Sequence, residues 1–157
     1  MARFVLGTST FVEMAATDES GPRAWLDRAY ETRGITDIEI AISAATLIAV
    51  ERHFDAQANP DETARVLKER CDQLAQEFRD RNAILPVDDA TVGAWRWFAG
   101  MALFYVSRKG RRYDLGLEER LVLATAIAGR LTLLDRPQPA HGVLAAWGLR
   151  VEDPTGT

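Results

Sequence analysis

The chain has 157 residues, enough for one domain with a substantial core. Apolar residues make up 47% and charged residues 27%, as in soluble globular proteins, and a net charge of −4 excludes a general attraction to nucleic acid. The lone cysteine, Cys71, excludes an intrachain disulfide framework and points to a reducing, cytoplasmic setting. The uncharged runs at 40–50 and 97–107 are about half the ~20 residues that span a bilayer, so no membrane role is expected.

Phe4–Leu6 predicts a short buried strand whose carboxyl end arrives at Gly7, a residue with no side chain. Pro22 to Arg33 carries Trp25, Leu26 and Tyr30 at helical spacing. Ile38–Ala44 alternates and is isoleucine-rich, a second strand. A helix follows, with Ser43 or Thr46 as N-cap, and Asp61 is placed to cap a long helix from Glu62 to Arg79. Residues 82–89 predict a strand ending at Pro86. One apolar helix is then expected from Asp89 through Arg108, bearing Trp95, Trp97, Phe98, Phe104 and Tyr105. A basic loop comes next, then a helix closed by Gly129 as its C′ residue. Strands at 130–135 and 149–153 flank a short helix. His53 and His141 match no catalytic or zinc spacing and are expected at the surface, and Cys71 is expected in packing. The reading is a single domain over 1–152 with a loose tail at 153–157.

Strands alternating with helices predict a parallel α/β sheet covered on both faces, with any ligand outside the carboxyl ends of the strands. The residues that reach that edge are Gly7, 43–49, 87–89 and 135–137.

These stretches resemble PIN-domain proteins, specifically VapC-type toxins. "VLGTSTF" keeps Thr8 and Ser9 of the family's first block but has Gly7 for its aspartate. "SAATLIAVER" keeps Ser43 and Thr46 but has Ala49 for a glutamate. "ILPVDDATVGAW" is similar to the family's middle strand and helix. "ERLVLATA" aligns Glu119 with the third acid, and "LTLLDRP" has Asp135 and Pro137 where threonine and asparagine or aspartate are usual. The resemblance implies a PIN-like three-layer fold with a parallel sheet of four or five strands. It also implies a small endoribonuclease whose carboxylates hold Mg²⁺ or Mn²⁺. Hard cations need oxygen donors, and Gly7 and Ala49 supply none. Glu119 and Asp135 are the residual acids, a weak metal site or none, with Thr8 and Ser9 beside them and Pro137 at a lost polar position.

Each residue also has a plainer reading. Gly7 suits a turn needing positive φ, Thr8 and Ser9 a helix cap, Glu119 a first-turn acid at a helix dipole, and Asp135 a turn. Arg108, Lys109, Arg111 and Arg112, with Tyr113, form either an RNA-tracking edge or a solvated loop. Glu51 falls about 200° from position 49 on a helix and Glu13 is expected in solvent, leaving Asp88 or Asp89 as the compensating acid. The resemblance implies an antitoxin-like protein whose helix seats on the first-half helices, and a homodimer paired through the aromatic helix. The expected function is therefore a catalytically impaired binder of RNA, an antitoxin-like partner or itself. The alternatives are an active Mg²⁺- or Mn²⁺-dependent ribonuclease with a rearranged acidic site, and a small-molecule-binding domain.

Overall fold

The computed structural model describes residues 1–154, and the last three residues of the expected tail lie outside them. Pro154, just before these, is buried. In chain order the elements are β1 (Phe4–Leu6), α1 (Thr8–Ala16), α2 (Gly21–Arg33), β2 (Ile40–Ser43), α3 (Ala44–Asp55), α4 (Glu62–Asp80), β3 (Ile84–Leu85) and α5 (Asp89–Phe98). These are followed by β4 (Phe104–Val106), β5 (Arg112–Asp114), α6 (Leu117–Gly129), β6 (Thr132–Leu134), α7 (Pro139–Leu144) and β7 (Arg150–Glu152).

Five strands form a parallel sheet in the order β3-β2-β1-β6-β7. Alternation along β1 explains the three layers, because successive side chains of a strand point to opposite faces. Phe4 and Leu6 join one apolar core with Phe11, Trp25, Cys71 and Phe78, on the side of α1, α2 and α4. Val5 joins the other with Phe98, Leu123, Leu133 and Leu144, on the side of α5, α6 and α7. Burial pushes the Cys71 thiol up to about 11, which fits packing and not nucleophilic chemistry.

The caps follow the side-chain chemistry. Ser43 Oγ accepts from Ala45 N–H at 3.1 Å at the start of α3. Asp61 Oδ1 accepts from Ala64 N–H at 2.8 Å at α4, and Asp88 Oδ1 from Thr91 N–H at 3.0 Å at α5. Gly129 is not the C′ residue: it lies inside α6, and Arg130 takes the left-handed position at φ 53°.

The main correction falls at 99–114. The expected long helix stops at Phe98, and Phe104 and Tyr105 belong to an antiparallel hairpin, β4–β5, whose tip is the basic segment. Arg120 explains the stop. Its guanidinium donates to the carbonyls of Phe98 at 3.2 Å and Met101 at 2.9 Å, and its Nε to that of Leu115 at 3.1 Å. The Phe98 carbonyl also accepts from Met101 N–H at 3.0 Å, so the cation and a tight turn together hold the chain where α5 ends. The second correction is α1, a nine-residue helix between the first strand and Thr17. It starts without a side-chain cap and is held by burial of Phe11, Met14 and Ala15.

Candidate functional site

Chain order reverses between β1 and β6, since β1 runs to β2 on one side while β6 lies on the other. A cleft of about 500 Å³ opens at the carboxyl ends of these strands, the switch point where α/β sheets place ligands. Its lining includes Gly7, Thr8, Ser9, Ala49, Glu119 and Asp135. Pro137 is exposed and lies outside this lining, as do Asp88 and Asp89; the Asp88 carboxylate caps α5 instead. Glu51 faces away and pairs with Lys68 at 3.7 Å.

Register brings Gly7 and Asp135 together. Leu6 pairs with Leu134 and Gly7 N–H donates to the Leu134 carbonyl at 2.9 Å, so the next residue of each strand sits side by side. A Cβ at position 7 would stand 2.6 Å from Asp135 Cγ, 3.0 Å from its Cβ, and closer still to its Oδ2. Gly7 has φ −67°, so its glycine is required by this close approach and not by a left-handed turn.

Asp135 is 3% exposed. Its Oδ1 accepts from Ser9 Oγ at 2.9 Å, Thr10 Oγ1 at 3.4 Å and Arg136 N–H at 2.8 Å. Burial pushes its carboxyl up to about 6 against the pull of those donors. Ser9 therefore anchors Asp135 and does not cap α1, while Thr8 Oγ1 is buried without a partner among the described residues. Glu119, in the first turn of α6, is pushed up to about 7, first by burial and then by the charge of Asp135. Its Oε2 is buried and has no partner among the described residues. Across the cleft, position 49 presents only a methyl group beside Val50 and Phe54.

The hairpin forms the remaining wall, and sequence reasoning missed it. Val106 N–H donates to Gln138 Oε1 at 2.8 Å, and Gln138 Nε2 and Arg136 Nη2 donate to the Val106 carbonyl at 3.2 and 3.0 Å. Arg136 thus contacts Asp135 through its backbone and turns its guanidinium to the hairpin. Tyr105 hydroxyl meets His141 Nε2 at 3.0 Å. His141 is buried, contrary to the surface position expected, and burial pushes it down to about 4, so it is neutral. Gln138 N–H donates to its Nδ1 at 3.1 Å, which leaves the ring proton on Nε2, facing Tyr105. His53 is exposed at the cleft mouth.

Of the basic residues at the hairpin, Arg108 lines the cleft and forms an ion pair with Glu13 of α1, a residue expected in solvent. Arg112 lies over the Phe104 ring, 3.5 Å from its centroid. Lys109 and Arg111 are exposed, and Tyr113 lines the cleft.

No protein-family model matches the chain, and no curated protein matches it. Three solved structures are similar over nearly all of it. The structure of FitAB bound to an IR36 DNA fragment has TM-score 0.65 and 21% identity, covering 98% of this chain and 96% of that one. FitAcB from Neisseria gonorrhoeae has TM-score 0.65 and 21% identity, covering 98% and 99%. VapBC2 from Rickettsia felis, bound to a promoter DNA fragment, has TM-score 0.59 and 18% identity, covering 96% and 97%. The chain has the PIN-like fold of VapC-type proteins. At these identities the likeness establishes the fold, and the chemistry rests on the cleft itself.

The resemblance to VapC-type proteins implies Mg²⁺ or Mn²⁺ at the strand ends. The residues of this cleft do not fit the implied cage. Among the described residues no group of three or more His, Cys, Asp or Glu is placed to hold a metal ion. The lining holds three acids among the described residues: Glu13 is paired with Arg108, Asp135 has an oxygen already bound by three donors, and Glu119 is the third. Among the described residues, no helix is long and apolar enough to cross a membrane.

Proposed function

We propose that this chain is a VapC-like, cytoplasmic protein that has lost efficient ribonuclease activity and acts by binding an antitoxin-like protein. The observation that carries the reading is the composition of the cleft. Position 49 contributes a methyl group, position 7 has no room for a side chain, and of the three acids in the lining Glu13 is paired with Arg108, which leaves Glu119 and Asp135 where a divalent cation needs more oxygen donors.

Partner binding needs none of those acids. A second, shallow groove between α1, α3 and α4 has Leu47, Val50 and Ala75 above the buried Phe11 and Cys71, with Glu51, Asp72, Gln76 and Arg79 also lining it. Apolar residues with charged ones beside them suit the apolar face of an amphipathic helix. The similar structures are FitAB and VapBC complexes, which supports a protein partner of that kind. Pairing with a second copy is assigned to the outer face of α5, where Trp97 is 70% exposed and stacks on Trp147 at 5.7 Å. RNA contact is assigned to Lys109 and Arg111, with Arg108, Arg112 and Tyr113 behind them.

The rival reading is an active ribonuclease with a rearranged site, favoured by the Asp135 carboxylate beside position 7. One experiment separates the two. Wild-type protein is incubated with single-stranded RNA in Mg²⁺ or Mn²⁺, with and without EDTA, and is expressed with a purification tag from a genomic segment that includes its flanking reading frames. Stable co-purification without EDTA-sensitive cleavage is expected. Cleavage that EDTA abolishes would establish the rival.

A further inference from the structure

We infer that Asp135 is a relocated carboxylate: it occupies the side-chain space of position 7, so an acid on β1 and an acid on β6 exclude one another in this cleft. The disagreement with the implied metal cage thereby has a cause in packing, because one donor was not only removed but replaced from the neighbouring strand.

The geometry is specific. Gly7 and Asp135 follow the paired residues Leu6 and Leu134 of adjacent parallel strands, so their side chains project to the same side. A single carbon at position 7 already falls within 2.6 Å of Asp135 Cγ, and a carboxylate there would need the whole volume. Asp135 cannot swing away cheaply, because Ser9, Thr10 and the Arg136 amide hold its Oδ1 in a buried site. Among the described residues Oδ2 is held by no such donor, and His141 Nε2 stands 4.0 Å from it. Asp135 is therefore the positioned acid of this corner of the cleft, and Gly7 is what admits it. Restoring the acid on β1 alone does not rebuild a three-carboxylate cage, because position 135 must be vacated at the same time.

The test is an exchange. Gly7→Asp, Asp135→Gly and the double variant are compared with wild type by thermal unfolding, each also in an Ala49→Glu background with and without 1 mM Mn²⁺. Overpacking a tight site places the loss for Gly7→Asp at about 5 °C or more. Asp135→Gly should also lose stability, since three donors are left without their acceptor. The double variant should recover most of the loss, a coupling that independent sites do not show. In the Ala49→Glu background only the protein that carries both Gly7→Asp and Asp135→Gly should gain several degrees from Mn²⁺. If Gly7→Asp does not fold, Gly7→Ala with and without Asp135→Gly gives the same comparison at a milder clash. Additive losses, or a Gly7→Ala as stable as wild type, would overturn the exclusion. The inference rests on the cleft geometry, so wild-type cleavage of RNA would refute the proposed function and leave it standing.

Discussion

Replacing Glu119 by glutamine probes the electrostatics of the cleft directly. Burial and the neighbouring Asp135 charge raise this carboxyl from 4.5 to about 7. Because the folded pKa lies above the unfolded one, Glu119 contributes its full stability below about pH 4.5 and loses it as pH rises through about 7. The shift corresponds to about 3 kcal/mol at 1.36 kcal/mol per pKa unit, and partial solvent access brings the expected effect to about 2 kcal/mol. The glutamine side chain mimics the neutral acid at every pH. Glu119→Gln should therefore melt at the wild-type temperature near pH 4.5. At pH 8.5 it should melt about 4–8 °C higher, at roughly 2–4 °C per kcal/mol for a chain of this size. The assay is thermal unfolding by circular dichroism across that range in EDTA. A Glu119→Gln protein that melts below wild type at pH 8.5 would refute the reasoning, because it would mean that the ionised carboxylate has a stabilising partner in the folded protein.

Three further outcomes follow from named contacts. Arg120→Ala removes a charged donor from the carbonyls of Phe98, Met101 and Leu115 and should cost about 2–4 kcal/mol in a urea titration, with the 99–103 turn losing amide protection first. In thermal unfolding, Tyr105→Phe leaves the His141 Nε2 proton buried and unpaired and should cost about 1–3 kcal/mol, and His141→Ala, which also leaves the Gln138 N–H without its acceptor, should cost more. Phe11→Ala empties a fully buried position beneath α1 and should cost about 3–5 kcal/mol, and a smaller loss would show that α1 is not held by its apolar face.

The layered fold was legible because its signals are local. Three apolar residues before Gly7 make a strand buried on both faces, and Ser43 and Asp61 are caps with bonds to match, whereas Asp88, read as a cleft acid, caps α5. The long helix expected through Arg108 failed for a distant reason: "WFAGMALFYV" is apolar enough to continue α5, and what ends the helix is Arg120, some twenty residues on. Thr8 and Ser9 offered a cap for α1, but Gly7 is the N-cap residue without a side-chain bond, and the stability of the helix comes from tertiary packing of Phe11 and Met14. His141 and Glu13 were expected at the surface because their partners, Tyr105 and Arg108, belong to the hairpin that was not foreseen. The strand ends that meet in the cleft were legible from their order along the chain. The mutual exclusion of Gly7 and Asp135 was not, since it depends on the register between β1 and β6.

A cleft without a working metal cage should take up no divalent cation. Calorimetric titration of Mn²⁺ into the wild-type protein at pH 7.5, with melting temperatures in 1 mM Mn²⁺ and in EDTA, tests this most directly. The expected result is no saturable heat and no change in melting temperature. Occupancy at about 100-fold over the dissociation constant would add about 2.7 kcal/mol of stability, so a saturable heat with an EDTA-reversible rise of several degrees would contradict the account.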